Sequence, residues 1–298
     1  MGCVGEGRYR LPVALGHEFC GDVVEVGPEV HHVSPGDRVS AETHLTCGHC
    51  RQCRTNRQHT CENLVGFSQL NRGAFADYTT VPAKLLRPVP VSMSDEQAAL
   101  LEPLGVAVRS VMDHDLRGAT IVVTGCGPIG LLTVAVANAC GVAAVFASDL
   151  SRERLALAKR LGAARVFHAQ DDDLKDAVFE LTAGAGADVA IEASGSPQAV
   201  GQALSLVARG GRLLLTGVPR QEVSLDVGRY VLGREVTIEG ILGRRIDETW
   251  VQMERLCARP DFDLSPLLTD TLPLSAFEAA FEAAASGASG KVSFVFSR

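Results

Sequence analysis

Between Thr46 and Cys61 the chain reads TCGHCRQCRTNRQHTC, and Cys47, Cys50, Cys53 and Cys61, four of its nine cysteines, fall inside that stretch. Two residues between successive thiols is the spacing at which a tight turn aims both sulfurs at one tetrahedral zinc ion. The side chains between them (His49, Arg51, Gln52, Arg54, Arg57, Gln58) are polar, so the stretch has no apolar run from which to build a core. Its folding energy has to come from outside, and a zinc ion held by four thiolates supplies it. Disulfides among cysteines this close would constrain almost nothing. All four positions are thiolates, which leaves none open to a substrate, so the expected site is structural.

With 298 residues the chain can bury a full core and fill two domains. A net charge of −7 argues against a nucleic-acid surface, whose affinity comes from neutralising phosphates. The arginines of the cysteine stretch come without a recognition-helix pattern. Cys3, Cys20, Cys126, Cys140 and Cys257 are scattered among small or apolar neighbours, as buried free thiols are in a reducing compartment. No signal-peptide pattern is present, because Glu6, Arg8 and Arg10 interrupt any apolar run. Residues 129–147 are apolar enough to be weighed as a membrane span. Gly141 breaks them, however, and a buried helix followed by a buried strand accounts for them better. The expectation is a soluble cytoplasmic protein with neither a membrane nor a nucleic acid as partner.

The middle of the chain alternates strands and helices. Thr120–Thr124 (TIVVT) is a short β-branched run that fits a strand buried on both faces, and GCGPIG (125–130) follows it directly. Standing between a strand and a helix, that motif reads as a dinucleotide-binding turn. Gly125 permits the tight turn, Gly127 the approach of a pyrophosphate, and Gly130 close helix–sheet packing; Ile129 lies within the motif. The next strand ends at Asp149, where an acid would accept hydrogen bonds from the adenosine ribose and repel a 2′-phosphate, pointing to NAD. The other reading of Asp149 is a cap for the helix that begins at Ser151. Further strands are expected at 165–167, 188–192, 211–216 and 235–242, and helices near 174–181 and 198–208. Together they make a doubly wound parallel sheet. Strands ending at Thr216-Gly217-Val218 and at Ile241-Leu242 would bring their carboxyl ends to the cofactor crevice.

Ahead of the cysteines, residues 15–39 are β-like between turn signals, and they contain Gly16-His17-Glu18. Beyond them, 73–78 reads as a strand. A helix is expected from Ser94, with Gln97 at the capping-box position, up to Pro103. Glu102 lies in the apolar run LLEPLGVAV, either as a helix-end charge reaching water or as a buried group with a cation to meet.

The run GHEFCGDVVEVGPEV, then SPGDRV, then the cysteine stretch, resembles the signature of the zinc-containing medium-chain alcohol dehydrogenases. The resemblance extends to the C-terminus and implies a GroES-like β-rich catalytic domain (1–102), a Rossmann domain (103–244) and a return to the catalytic domain (245–298). It implies hydride transfer from a secondary alcohol to NAD+, with Zn2+ as Lewis acid. His17, Glu18 and Glu102 would face the catalytic zinc, Arg154 the adenine, and residues 216–218 and 241–242 the nicotinamide half. The cysteine stretch with GRRIDETW (243–250), DLSPLLT (263–269) and His44 is similar to the threonine-dehydrogenase branch, where a histidine lies near the substrate; LEPLGVAVRS also resembles sorbitol and butanediol dehydrogenases. The family commonly forms dimers or tetramers. The family's CG[ST]DxH motif, which carries the first zinc ligand, is not matched by Cys3-Val4-Gly5, so the N-terminal part of the domain is expected to be missing. An inactive NAD-binding protein with one structural zinc is the alternative reading.

Overall fold

The computed structural model describes residues 13–70 and 72–296. Cys3 lies outside the described residues. The first part of the chain carries short strands β1 (Gly21–Asp22), β2 (Arg38–Ala41), β3 (His44–Leu45), β4 (Val65–Gly66) and β5 (Leu86–Pro88), with the helical turn α1 (Arg51–Arg54) between β3 and β4. Strands β1, β2 and β5 form an antiparallel sheet in that order, and β3 pairs with β4. Val33, Val39, Ala41, Leu85 and Leu86 make a small core beneath it.

Two helices then lead into the second domain, α2 (Asp95–Ala99) and α3 (Leu101–Met112). Ser94 caps α2 in a full capping box with Gln97. The expected stop at Pro103 is corrected: Leu100 breaks the helix, and Pro103 sits in the first turn of α3, where its missing N–H would find no intrahelical partner anyway.

The remaining strands and helices alternate: β6 (Thr120–Thr124), α4 (Pro128–Ala139), β7 (Ala144–Asp149), α5 (Arg152–Arg160), β8 (Arg165–His168), α6 (Leu174–Leu181), β9 (Ala187–Glu192), α7 (Pro197–Leu206), β10 (Val207–Leu215) and β11 (Thr237–Gly240). The sheet order is β11-β10-β9-β6-β7-β8, with every pair parallel. Strand β6 shows why its sequence is apolar throughout. Ile121 and Val123 pack with α3 and α4 on one face, while Val122 packs with Leu174, Val178 and Leu206 on the other. Each of the three is 0 % exposed, which stabilises the fold by about 1.5–3 kcal/mol per side chain.

The chain closes with α8 (Ile246–Cys257), β12 (Leu268–Pro273), α9 (Phe277–Ser286) and β13 (Lys291–Val295); β12 and β13 pair in parallel. Phe281 and Phe294 meet Phe75 of the first part of the chain, with ring centroids 6.3 and 5.0 Å away. The strand expected at 73–78 does not form. Ala74 N and Phe75 N bond across, to Gly16 O and Leu15 O, and Gly73 is pressed so close that a Cβ there would lie 2.0 Å from Leu15 O. The β-like stretch 15–39 likewise keeps only β1 and the start of β2 as ladder. Among the described residues, no helix is long and apolar enough to cross a membrane.

Candidate active site and zinc sites

The four sulfurs of Cys47, Cys50, Cys53 and Cys61 lie within 4.8 Å of one another. The separations Cys47–Cys61, Cys47–Cys53 and Cys50–Cys61 are 3.6, 3.9 and 3.9 Å. A tetrahedron with Zn–S bonds of about 2.3 Å has edges of about 3.8 Å, whereas a disulfide would need about 2.05 Å. The donor set therefore fits zinc. Backbone N–H groups of Cys47, Cys50, Cys53 and Asn63 point at the sulfurs from 3.4–3.5 Å, as they do when sulfurs carry charge. Such backbone hydrogen bonds bring the Cys47 thiol down to about 6, while burial pushes Cys53 up to about 12.

A second group of donors, His17, Glu18 and Glu102, also lies within 4.8 Å. One nitrogen and two carboxylates, running from an exposed His17 to a buried Glu102, suit a divalent zinc with a face open to a ligand. Gly16 sets up this arrangement. Its φ is +92°, and a Cβ there would lie 2.7 Å from Phe75 Cδ1, so only glycine lets the chain turn His17 toward Glu102. Glu18 Oε2 is also paired with Lys291 Nζ from β13, and burial pushes that lysine down to about 8.

Behind Glu102 stands a residue that the sequence reading did not single out. Arg244 is 1 % exposed and donates Nε to Glu42 Oε2 at 2.6 Å, and its two terminal nitrogens to Glu102 Oε1 at 3.0 and 2.9 Å. Thr43 Oγ1 adds a bond to the same Glu102 oxygen at 2.8 Å. Among the described residues every hydrogen bond to that carboxylate goes to Oε1, which leaves Oε2 for the His17–Glu18 side. Burial would raise Glu102, but the charges of Arg244 and His17 and the Thr43 hydrogen bond together outweigh it and hold the acid below its usual range. Glu102 is thus the buried group that meets a cation, not the helix-end charge reaching water. Gly105 makes the space, since a Cβ there would fall 2.5 Å from Arg244 Cδ.

Glu42 accepts from Trp250 Nε1 at 3.0 Å and from His44 Nδ1 at 2.7 Å. That contact uses Nδ1 and leaves Nε2 for another partner. A Cβ on Gly243 would lie 3.6 Å from His44 Cε1, so the ring faces the turn that follows β11.

On the sheet, Gly125 has φ +93° and Gly130 is packed so tightly that a Cβ would lie 1.8 Å from Gly125 O, whereas nothing lies within 4 Å of a Cβ on Gly127. The turn thus leaves open space at the N-terminus of α4. Asp149 ends β7 and accepts from Cys126 N at 2.6 Å and Ser151 N at 2.8 Å. It braces the glycine turn as well as the following helix, where Ser151 is the side-chain cap. Arg154 Nε donates to Ser289 O at 3.2 Å. Thr216 and Gly217 bond to Glu192 O on the next strand; Val218 and Leu242 are exposed and Ile241 is buried, all beyond the carboxyl ends of β10 and β11.

A parallel sheet with a phosphate-ready turn, a four-thiolate zinc lobe and a His-Glu-Glu cluster define a zinc-binding dehydrogenase. Residues 128–259 match the zinc-binding dehydrogenase family model, and residues 2–91 match that of the alcohol dehydrogenase GroES-like domain. The chain belongs to this family: it is a zinc-dependent oxidoreductase of alcohols that uses NAD. L-threonine 3-dehydrogenase of Bacillus subtilis strain 168 is 41 % identical over 96 % of this chain and 82 % of its own length. The crystal structure of 2R,3R-butanediol dehydrogenase from Bacillus subtilis is similar with TM-score 0.83 and 31 % identity, over 95 % of this chain and 80 % of that one. Galactitol-1-phosphate dehydrogenase from Escherichia coli gives 0.87 and 28 %, over 96 % and 85 %.

Proposed function

We propose that this chain oxidises the secondary hydroxyl of L-threonine, or of a closely similar amino alcohol acid, and passes the hydride to NAD+. The observation that carries the reading is the threonine dehydrogenase likeness over almost the whole chain, joined to a His17–Glu18–Glu102 cluster within zinc-binding reach. When bound at that cluster, zinc supplies Lewis-acid polarisation of the substrate oxygen. Arg244 fixes the rotamer of Glu102 and supplies the charge that keeps it an acceptor. Because both ends of its guanidinium are taken by carboxylates, Arg244 acts on Glu102 and has no donor to spare for the substrate. Glu42 orients His44, whose free nitrogen can take a hydrogen bond from a substrate ammonium or hydroxyl. Asp149, the 125–130 turn and residues 216–218 and 241–242 hold the cofactor, with Arg154 against the adenine. In the cell the protein is a cytoplasmic homo-oligomer, and the free thiols outside the zinc lobe (Cys20, Cys126, Cys140 and Cys257 among the described residues) suit that reducing compartment.

The butanediol dehydrogenase likeness favours one competing substrate class, the diols and polyols. NAD+ reduction measured with L-threonine, sorbitol and 2,3-butanediol separates them. Threonine is expected to give the highest kcat/KM; a diol ahead of threonine by tenfold sinks the assignment.

A further inference from the structure

Glu42 and Glu102 each have Arg244, but a third buried carboxylate has no cation paired with it among the described residues. Glu192, the last residue of β9, is 0 % exposed. Its Oε1 accepts from Ser194 N at 2.8 Å, from Gly195 N at 3.1 Å and from the Ser194 hydroxyl; its Oε2 accepts from Gly195 N at 3.1 Å. The backbone partners can only donate, and they meet both oxygens of the carboxylate. Among the described residues it forms no ion pair. A buried charge left with only neutral donors is costly, and such groups are often tied to function.

Its position says which function. Gly217 is so close that a Cβ would lie 2.6 Å from Glu192 Oε2, and a Cβ on Gly195 would lie 2.7 Å from Val218 O. A Cβ on Gly125 would lie 2.6 Å from Ser194 N. Three loops, at 125–127, 193–196 and 216–218, therefore close around this one carboxylate. The sheet order reverses between β6 and β9, and in sheets of this kind the dinucleotide crosses the carboxyl ends at that reversal. The phosphate turn follows β6, and β9 and β10 lie on the nicotinamide side of it.

We propose that Glu192 biases the site toward the oxidised cofactor. The nicotinamide ring carries a positive charge in NAD+ and none in NADH, so a fixed negative charge at the end of β9 favours the first over the second. The weakly screened interior makes that difference felt over several ångströms. An enzyme running toward alcohol oxidation then holds its incoming cofactor and releases the reduced one. The inference rests on reading this crevice as the nicotinamide dinucleotide site.

The test is direct titration of the intact protein with NAD+ by calorimetry and with NADH by fluorescence, without substrate. Glu192→Gln is expected to lower the ratio Kd(NADH)/Kd(NAD+) roughly tenfold. Equal weakening of both forms, with the ratio unchanged, reduces Glu192 to a loop tether and overturns the proposal. Ser194 is exposed and gives a second handle if Glu192→Gln fails to fold. Ser194→Ala removes one donor and should leave the ratio within about twofold of wild type, while Ser194→Lys, with its new positive charge, should lower it relative to Ser194→Ala. No difference between those two variants also overturns it. If the wild-type protein binds neither form, the cofactor reading itself has failed.

Discussion

Two buried acids share one guanidinium, so neither can be altered without exposing the others to an unpaired charge. Burial alone would raise the Glu42 carboxyl, but hydrogen bonds from His44 and Arg244 and the charge on Arg244 outweigh it and hold the acid far below its usual range. A depressed pKa contributes stability that is fully present above the unfolded value of about 4.3 and is lost as pH falls below it. Glu42→Gln is therefore expected to cost about 3 kcal/mol near neutral pH, where Arg244 loses a charge partner and one of the two acceptor oxygens becomes an NH2 facing other donors. The gap to wild type should narrow below about pH 4. Thermal melts of both proteins from pH 3 to 8 check this; a constant gap would show that Glu42 acts by shape alone. At the cofactor, Asp149→Gly should weaken NAD+ binding and shift the NAD/NADP preference by at least about tenfold, because a carboxylate facing a ribose repels a 2′-phosphate. An unchanged ratio of kcat/KM values would leave Asp149 as a brace for the turn at Cys126. Glu102 was legible as an acid in an apolar run. Arg244 was not, because its partners lie 142 and 202 residues away and no local pattern marks an arginine as buried.

The cysteine stretch and the parallel sheet were readable as elements for different reasons. In the lobe, the spacing of like ligands carries the information, and the sulfur tetrahedron follows from it. In the sheet, burial on both faces forces apolar runs such as TIVVT, and these stand out from the polar helix starts at Ser151 and Ser196. The first domain was harder. Its strands before α2 are two to four residues long, and 73–78 has a strand-like composition but forms no strand. Because the lobe has almost no core of its own, Cys53→Ala should remove one zinc per chain and melt residues 47–61. Metal analysis should fall from two zincs to one, and amide exchange should rise in the lobe. NAD+ affinity should stay within about twofold, since the sheet does not depend on the lobe. Loss of both zincs together would mean that the two sites are coupled.

At the scale of the whole molecule β13 packs against the segments around Glu18 and Phe75, and the candidate zinc site lies where they meet. Lys291 reaches Glu18 across 273 positions of sequence, and Phe75, Phe281 and Phe294 form an aromatic cluster next to that contact. Gly16 is pinned by Phe75, and Phe75 in turn is held edge-on by Phe294 at 84°. The positions of His17 and Glu18 thus depend on a strand more than 270 positions further along the sequence. Phe294→Ala should cost about 2–3 kcal/mol, somewhat less than a fully enclosed ring because Phe294 is half-buried. The larger effect should be on the metal cluster: retention of the second zinc under mild chelation should fall several-fold, while the four-thiolate zinc stays bound. Timed zinc release to a chromogenic chelator, read beside denaturant unfolding, separates the two effects. Lost stability with unchanged zinc release would mean that the aromatic cluster holds the domain together without setting the geometry of His17 and Glu18.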